Sequence, residues 1–246
     1  MKQKISKLEN ILLITNQKFL LISIIILFIT TLLLSFMYFS NLNFFLVLKT
    51  IITNPVYITS LILSILIITI SIYEDNNNYF IILRNKNYNV FLEKNFKIIK
   101  IYIFFLITLS IILASIFTTI RCKMNFLIIQ DNIYSLPIII YLIFYIARLY
   151  ILIYLLIKLV YLLQILFPKI GGVILSFFLV FLNFTYSSNN IKEILQIPIL
   201  ITDYFKEIKY SNYYLEISGS ILQIIILIIL INIANYFIER KKNYEI

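Results

Sequence analysis

Long apolar stretches dominate this 246-residue chain. A bilayer core about 30 Å thick is crossed by roughly 20 helical residues, and the backbone inside it must satisfy its own hydrogen bonds. Apolar residues make up 62% of the chain and charged residues 13%, which excludes a water-soluble domain. We predict an all-α integral membrane protein, a single transmembrane domain over residues 1–246. Its six transmembrane helices are expected at residues 19–39, 55–73, 98–120, 138–163, 171–187 and 221–238.

The residue types that are missing exclude much catalytic chemistry. The chain contains no histidine and one cysteine, which excludes imidazole metal sites, Ser-His or Cys-His nucleophiles and intrachain disulfides. Gly171 and Gly172 are not followed by the Gly-Lys-Ser/Thr sequence of a phosphate-binding loop. No predicted span contains an acidic residue, which excludes a pair of catalytic carboxylates within the membrane. We therefore expect a protein that is not an enzyme and that holds no metal or cofactor of its own.

The distribution of basic residues predicts the orientation of the spans. The two terminal segments and the loops after spans two and four contain thirteen Lys and Arg residues when Lys100 in the first turn of span three is included, whereas the three segments on the opposite side contain six. The positive-inside rule then places both termini in the cytoplasm of a multi-pass cell-membrane protein. The net charge of +10 is scattered over several loops, so we expect no nucleic-acid partner.

Three segments outside the predicted spans mix apolar and polar residues. Residues 1–18 have the spacing of an amphipathic helix, which either lies on the inner membrane surface or only anchors the N-terminus. Residues 40–54 are expected to be interfacial. Residues 188–220 include an apolar run too short to cross the bilayer, and we interpret them as a re-entrant or interfacial segment on the outer face.

The segment 74–97, between spans two and three, is much longer than a simple connection between helices. It combines aromatic and basic residues, and exposed aromatics beside arginine favour a protein interface. The alternative is a segment that lies passively on anionic lipid. The candidate interface residues are Arg84, Lys86, Tyr88, Phe91 and Lys94.

Arg148 lies near the middle of the fourth predicted span, on the same helical face as Tyr141 and Tyr145. A central arginine costs about 2.5–3.5 kcal/mol on insertion scales, so it should face protein or water. It either contacts a substrate that passes through the bundle or makes a structural hydrogen bond to a neighbouring helix. Lys158 is expected to extend to the interface at the inner end of this span.

The layout of the chain resembles the permease subunits of small bacterial ABC exporters that handle lantibiotics, other bacteriocins and amphipathic peptide toxins. The stretch most similar to that family is residues 81–94, followed by residues 97–102 at the entrance to span three. The resemblance implies that residues 79–94 form a coupling helix, which docks on a separate cytosolic ATPase subunit. That subunit would bind ATP and magnesium. The resemblance also implies a second permease copy, identical or related, and an amphipathic peptide substrate that enters from the membrane lipid.

The same hydropathy and charge bias is compatible with a different class of protein. This alternative is a standalone membrane protein of bacteriocin immunity, or one that binds a partner without a transport cycle. The long aromatic and basic segment favours the transporter, because a sequestering protein needs no ATPase dock. A secondary carrier is disfavoured, because no carboxylate lies within a span and no internal repeat is visible.

Overall fold

A computed structural model of the chain describes residues 17–37, 43–76, 88–121, 137–167 and 213–244. Within these ranges, the description leaves out the side chains of residues 55, 74–76, 88–91, 121, 213–220, 223, 239 and 241–244. The described elements are six α-helices, and the prediction of an all-α chain is confirmed for these ranges. The helices are α1 (Gln17–Met37), α2 (Phe44–Ile52), α3 (Pro55–Asn76), α4 (Tyr88–Arg121), α5 (Ile138–Leu166) and α6 (Tyr213–Tyr244).

Four of these helices are long and apolar enough to cross a bilayer, namely Gln17–Met37, Val56–Tyr73, Leu92–Ile120 and Ile138–Leu166. They correspond to the first four predicted spans. The predicted span 221–238 lies within α6, whose described apolar stretch is the shorter Ile224–Ile238. The predicted span 171–187 and the segments 1–16 and 188–212 lie outside the described residues.

The exposed surface of the bundle is apolar, whereas small polar side chains lie inside it. Leu21, Phe28 and Leu33 of α1 are exposed, but Ser23 and Thr31 of the same helix are buried. This inside-out distribution is typical of helices that face lipid, because small and hydroxyl-bearing residues form the interfaces between membrane helices.

Helices α1 and α3 pack closely through serine residues. The Ser23 hydroxyl donates a 2.8 Å hydrogen bond to the Ser64 carbonyl oxygen, and the Ser64 hydroxyl donates a 3.4 Å bond to the Ser23 carbonyl oxygen. Helix α3 is also tied to α4, because the hydroxyl oxygens of Tyr57 and Ser110 lie 2.6 Å apart. Small side chains at these positions let two backbones approach.

The short helix α2 is buried inside the bundle. Asn43 caps its N-terminus, where Oδ1 accepts hydrogen bonds from the backbone amides of Phe45 and Leu46. The helix ends before Pro55, which opens α3. Its side chains pack among α1, α3, α4 and α5. For residues 43–54 the structure therefore differs from the expectation of an interfacial segment, because this stretch packs among four neighbouring helices.

Helix α4 is continuous over 34 residues, or about 51 Å. It begins ten residues before the predicted span, because Leu92, Asn95, Phe96 and Ile99 continue its buried face at helical spacing. Helix α6 packs against α5 through Leu227, Ile231, Ala234 and Ile238.

Candidate functional site

The three residues predicted to share one face of the fourth span lie together on α5. The rings of Tyr141 and Tyr145 are stacked, with their centroids 6.1 Å apart and their planes inclined by 21°. The guanidinium carbon of Arg148 lies 5.5 Å from the centroid of the Tyr145 ring. Because residues three and four apart adjoin on a helix, these side chains form a single row.

A fourth residue, which the sequence interpretation assigned to an outer loop, extends this row. Lys49 of α2 is only 4% exposed, and its Nζ lies 4.7 Å from the centroid of the Tyr141 ring. We refer to Lys49, Tyr141, Tyr145 and Arg148 as the cation–tyrosine column. No signal in the sequence indicated this contact, because Lys49 and Tyr141 lie far apart in the chain and α2 carries Lys49 and Thr50 among its apolar residues.

A hydrogen bond joins α2 to α5 in addition to the contact between Lys49 and the Tyr141 ring. The buried hydroxyl of Tyr145 donates a 3.2 Å hydrogen bond to the carbonyl oxygen of Ile52, at the end of α2. That carbonyl belongs to the last turn of the helix, where carbonyl groups have no partner within the helix. Tyr145 therefore provides a hydrogen-bond donor for a carbonyl group at the end of α2, and its ring faces Arg148.

The electrostatics of the column follow from two cations in an apolar bundle. A cation at the centre of a membrane helix costs about 2.5–3.5 kcal/mol, and a desolvated cation–π contact contributes about 2 kcal/mol. The tyrosine faces thus offset much of the cost of placing Lys49 and Arg148 in the bundle. Chemically, the column can hold two helices together, and its half-buried Arg148 can also present a cation to an amphipathic molecule.

A second polar cluster lies at the opposite end of the bundle. The Nδ2 of Asn95 donates a 2.7 Å hydrogen bond to the hydroxyl oxygen of Tyr161, and both side chains are buried. The Tyr161 ring meets Phe96 and Tyr73 edge to face, with centroid distances of 5.5 and 6.0 Å. We call this end of the bundle the Tyr161 end. The cluster connects the beginning of α4 to the ends of α3 and α5.

Lys158 borders this cluster. Its Nζ lies 5.1 Å from the centroid of the Phe96 ring, and the side chain is half-buried between α5 and α4. The alkyl part of a lysine can lie along apolar surface while the ammonium group reaches the interface. Lys158 therefore lies at the Tyr161 end of α5, and its extension to the inner membrane interface stays a prediction.

The candidate interface residues of the segment 74–97 are only partly described. Arg84 and Lys86 lie outside the described residues. Tyr88 and Phe91 belong to the first turn of α4, and their side chains lie outside the description. Lys94 is exposed one turn later, so the structure brings the last three candidate residues onto one helix.

Comparison with models of known protein families, with curated proteins and with solved structures yields no significant match.

Proposed function

We propose that this chain is the membrane permease subunit of an ABC transporter that exports an amphipathic or antimicrobial peptide, or protects the cell from it. In this proposal, six spans with both termini in the cytoplasm cross the cell membrane. A separate cytosolic ATPase subunit binds ATP and magnesium and hydrolyses the nucleotide. A second permease copy, identical or related, completes the transporter.

The continuity of α4 is the observation that best supports this proposal. The helix runs unbroken from Tyr88 to Arg121, about 20 Å longer than the hydrocarbon core. A coupling segment formed by its first turns would have no hinge between the ATPase dock and the membrane. ATP-driven closure of the ATPase subunits would then move α4 as a rigid body.

The contacts at the Tyr161 end support the same mechanism. Tyr161 of α5 receives a hydrogen bond from Asn95 and packs against Phe96, the two residues that directly follow the proposed dock. Tyr73 of α3 packs against the same ring. A displacement of the beginning of α4 would therefore be transmitted to α5 and α3, because close-packed interfaces do not deform continuously.

The cation–tyrosine column is our candidate for the peptide path. Three of its four residues lie on α5, the helix that the Tyr161 cluster would displace. Arg148 is half-buried and offers a charged contact deep in an apolar bundle. In the proposed cycle, movement of α5 changes the access of the peptide to Arg148 and to the two tyrosines.

Association with the ATPase subunit tests the proposed dock. We expect that the double substitution of Tyr88→Ala and Phe91→Ala, or the single substitution Lys94→Glu, abolishes or weakens capture of the ATPase while membrane insertion is unchanged. Phe105→Ala is the matched control, because Phe105 is an exposed aromatic residue of the same helix farther along the span. Equal capture of the ATPase by all four proteins, with the unmodified chain as the fourth, would reject residues 79–94 as the dock.

A further inference from the structure

Two lysines, Lys100 of α4 and Lys158 of α5, lie beside the contact between these helices at the Tyr161 end. Lys97 and Lys100 of α4 are exposed, and Lys158 of α5 is half-buried with its Nζ over the Phe96 ring. Lys100 follows Phe96 by one helical turn, so its side chain adjoins that of Phe96 on the helix surface. The two helices therefore bring basic side chains to the same groove.

The depth of these lysines coincides with a membrane boundary. Lys100 precedes Arg121 by about 31 Å of helix, and Lys158 follows Ile138 by about 30 Å. Both lengths match the thickness of the hydrocarbon core. In a spanning bundle, Lys100 and Lys158 thus both lie near the level of the lipid phosphates, about one helical turn apart along the bundle axis.

The groove becomes apolar on the membrane side of the lysines. Phe104 of α4 meets Tyr150 of α5 edge to face, with ring centroids 6.2 Å apart. The antiparallel register that pairs Phe96 with Lys158 and Phe104 with Tyr150 places Lys100 level with Tyr154. Ile101 and Phe104 are 68% and 60% exposed, so this part of the groove is open to lipid.

We infer that the groove between α4 and α5 binds an anionic phospholipid. Lys100 and Lys158 hold its phosphate, and an acyl chain lies along Ile101, Phe104 and Tyr150. Among the described side chains of α4 and α5 at this end, there are four lysines, at positions 94, 97, 100 and 158, and one exposed acid, Glu93. The positive charge above an apolar wall matches the amphipathic shape of a lipid with a negative headgroup.

Lipid retention by the purified full-length chain tests this inference. The protein is exchanged into detergent with phosphatidylglycerol or phosphatidylcholine of identical acyl chains, and bound lipid is counted by native mass spectrometry. We expect retention of phosphatidylglycerol over phosphatidylcholine. Lys100→Gln and Lys158→Gln should each reduce that retention about fivefold, the factor expected for one lysine near an anionic surface.

Two sets of variants distinguish a defined site from diffuse attraction. Lys18→Gln removes an exposed lysine at the same end of the bundle but on α1, and it should leave retention unchanged. Lys100→Arg and Lys158→Arg keep the charge and should retain the lipid.

Three results would overturn the inference: equal retention of the two lipids, an equal loss in Lys18→Gln, or no loss in either glutamine variant. If Lys158→Gln fails to fold, the exposed Lys100 decides the question alone. Capture of the ATPase subunit is a separate measurement, so failure here leaves the proposed transport function standing.

Discussion

Asn95 and Tyr161 are joined by a buried 2.7 Å hydrogen bond between α4 and α5. The residues are 66 positions apart in sequence, and Asn95 directly follows Lys94, the last of the proposed docking residues. It is the most direct polar link between the segment that would receive force and the helix that carries the cation–tyrosine column.

Removal of this hydrogen bond should destabilise the bundle in a non-additive way. We expect Tyr161→Phe to lower the free energy of unfolding by about 1 kcal/mol, the typical size of a hydrogen bond between membrane helices. Asn95→Leu should have little further effect in the Tyr161→Phe background, because the bond is already lost. Denaturant unfolding in detergent micelles measures both. Additive losses from the two substitutions would mean that the side chains do not act as a pair.

Lys49 and Tyr141 should also be energetically coupled. Tyr141→Leu removes the aromatic face below a buried ammonium group, and we expect a loss of about 2 kcal/mol in unfolding free energy. In a Lys49→Met background the same substitution should cost markedly less, because no cation remains to be stabilised. A double-mutant cycle in detergent gives the coupling energy. Equal losses of unfolding free energy in the two backgrounds would show that Lys49 and Tyr141 are not energetically coupled.

Close packing of α1 on α3 depends on the small size of Ser64. Ser64→Leu should destabilise the protein by about 1–3 kcal/mol, because added methyl and methylene groups force two closely packed backbones apart. Thr59→Leu is the control on the same helix, since Thr59 is half-buried and donates to the Val56 carbonyl oxygen within α3. Thermal unfolding in detergent compares the two variants, and an equal effect would argue against a specific α1–α3 contact.

Much of the helical framework was predictable from hydropathy. Helices α1, α3 and α5 begin within two residues of the predicted spans, because long apolar runs have no other way to satisfy their backbone in a bilayer. The early start of α4 was missed for a physical reason. A span predicted from hydropathy begins after the nearest charged residues, here Lys94 and Lys97. In the structure these lysines are exposed on one face of α4, and the opposite face of the helix remains buried.

The burial of α2 could not be predicted from its own residues. A nine-residue helix with seven apolar residues suits an interfacial position as well as a buried one, and the surrounding helices decide between the two. The same ambiguity hid Lys49, whose contact with Tyr141 joins residues far apart in sequence. The row formed by Tyr141, Tyr145 and Arg148 was accessible because helical spacing alone brings those three residues onto one face.

Substitution of Arg148 tests whether the cation–tyrosine column lines the peptide path. If it lines the peptide path, Arg148→Leu should abolish peptide export or tolerance in cells while membrane levels and thermal stability remain near those of the unmodified protein. Arg148→Lys keeps a cation and should retain part of the activity. Loss of folded protein in Arg148→Leu would instead identify Arg148 as a structural residue.

The central claim is that this chain works with a separate ATPase, and co-purification tests it most directly. The tagged chain is expressed together with its neighbouring genes, extracted gently into nanodiscs and analysed by mass spectrometry. We expect a stoichiometric P-loop ATPase subunit and ATP hydrolysis that the exported peptide stimulates. A protein isolated alone, or with a bound peptide but no ATPase, would contradict the transporter and support an immunity or binding role.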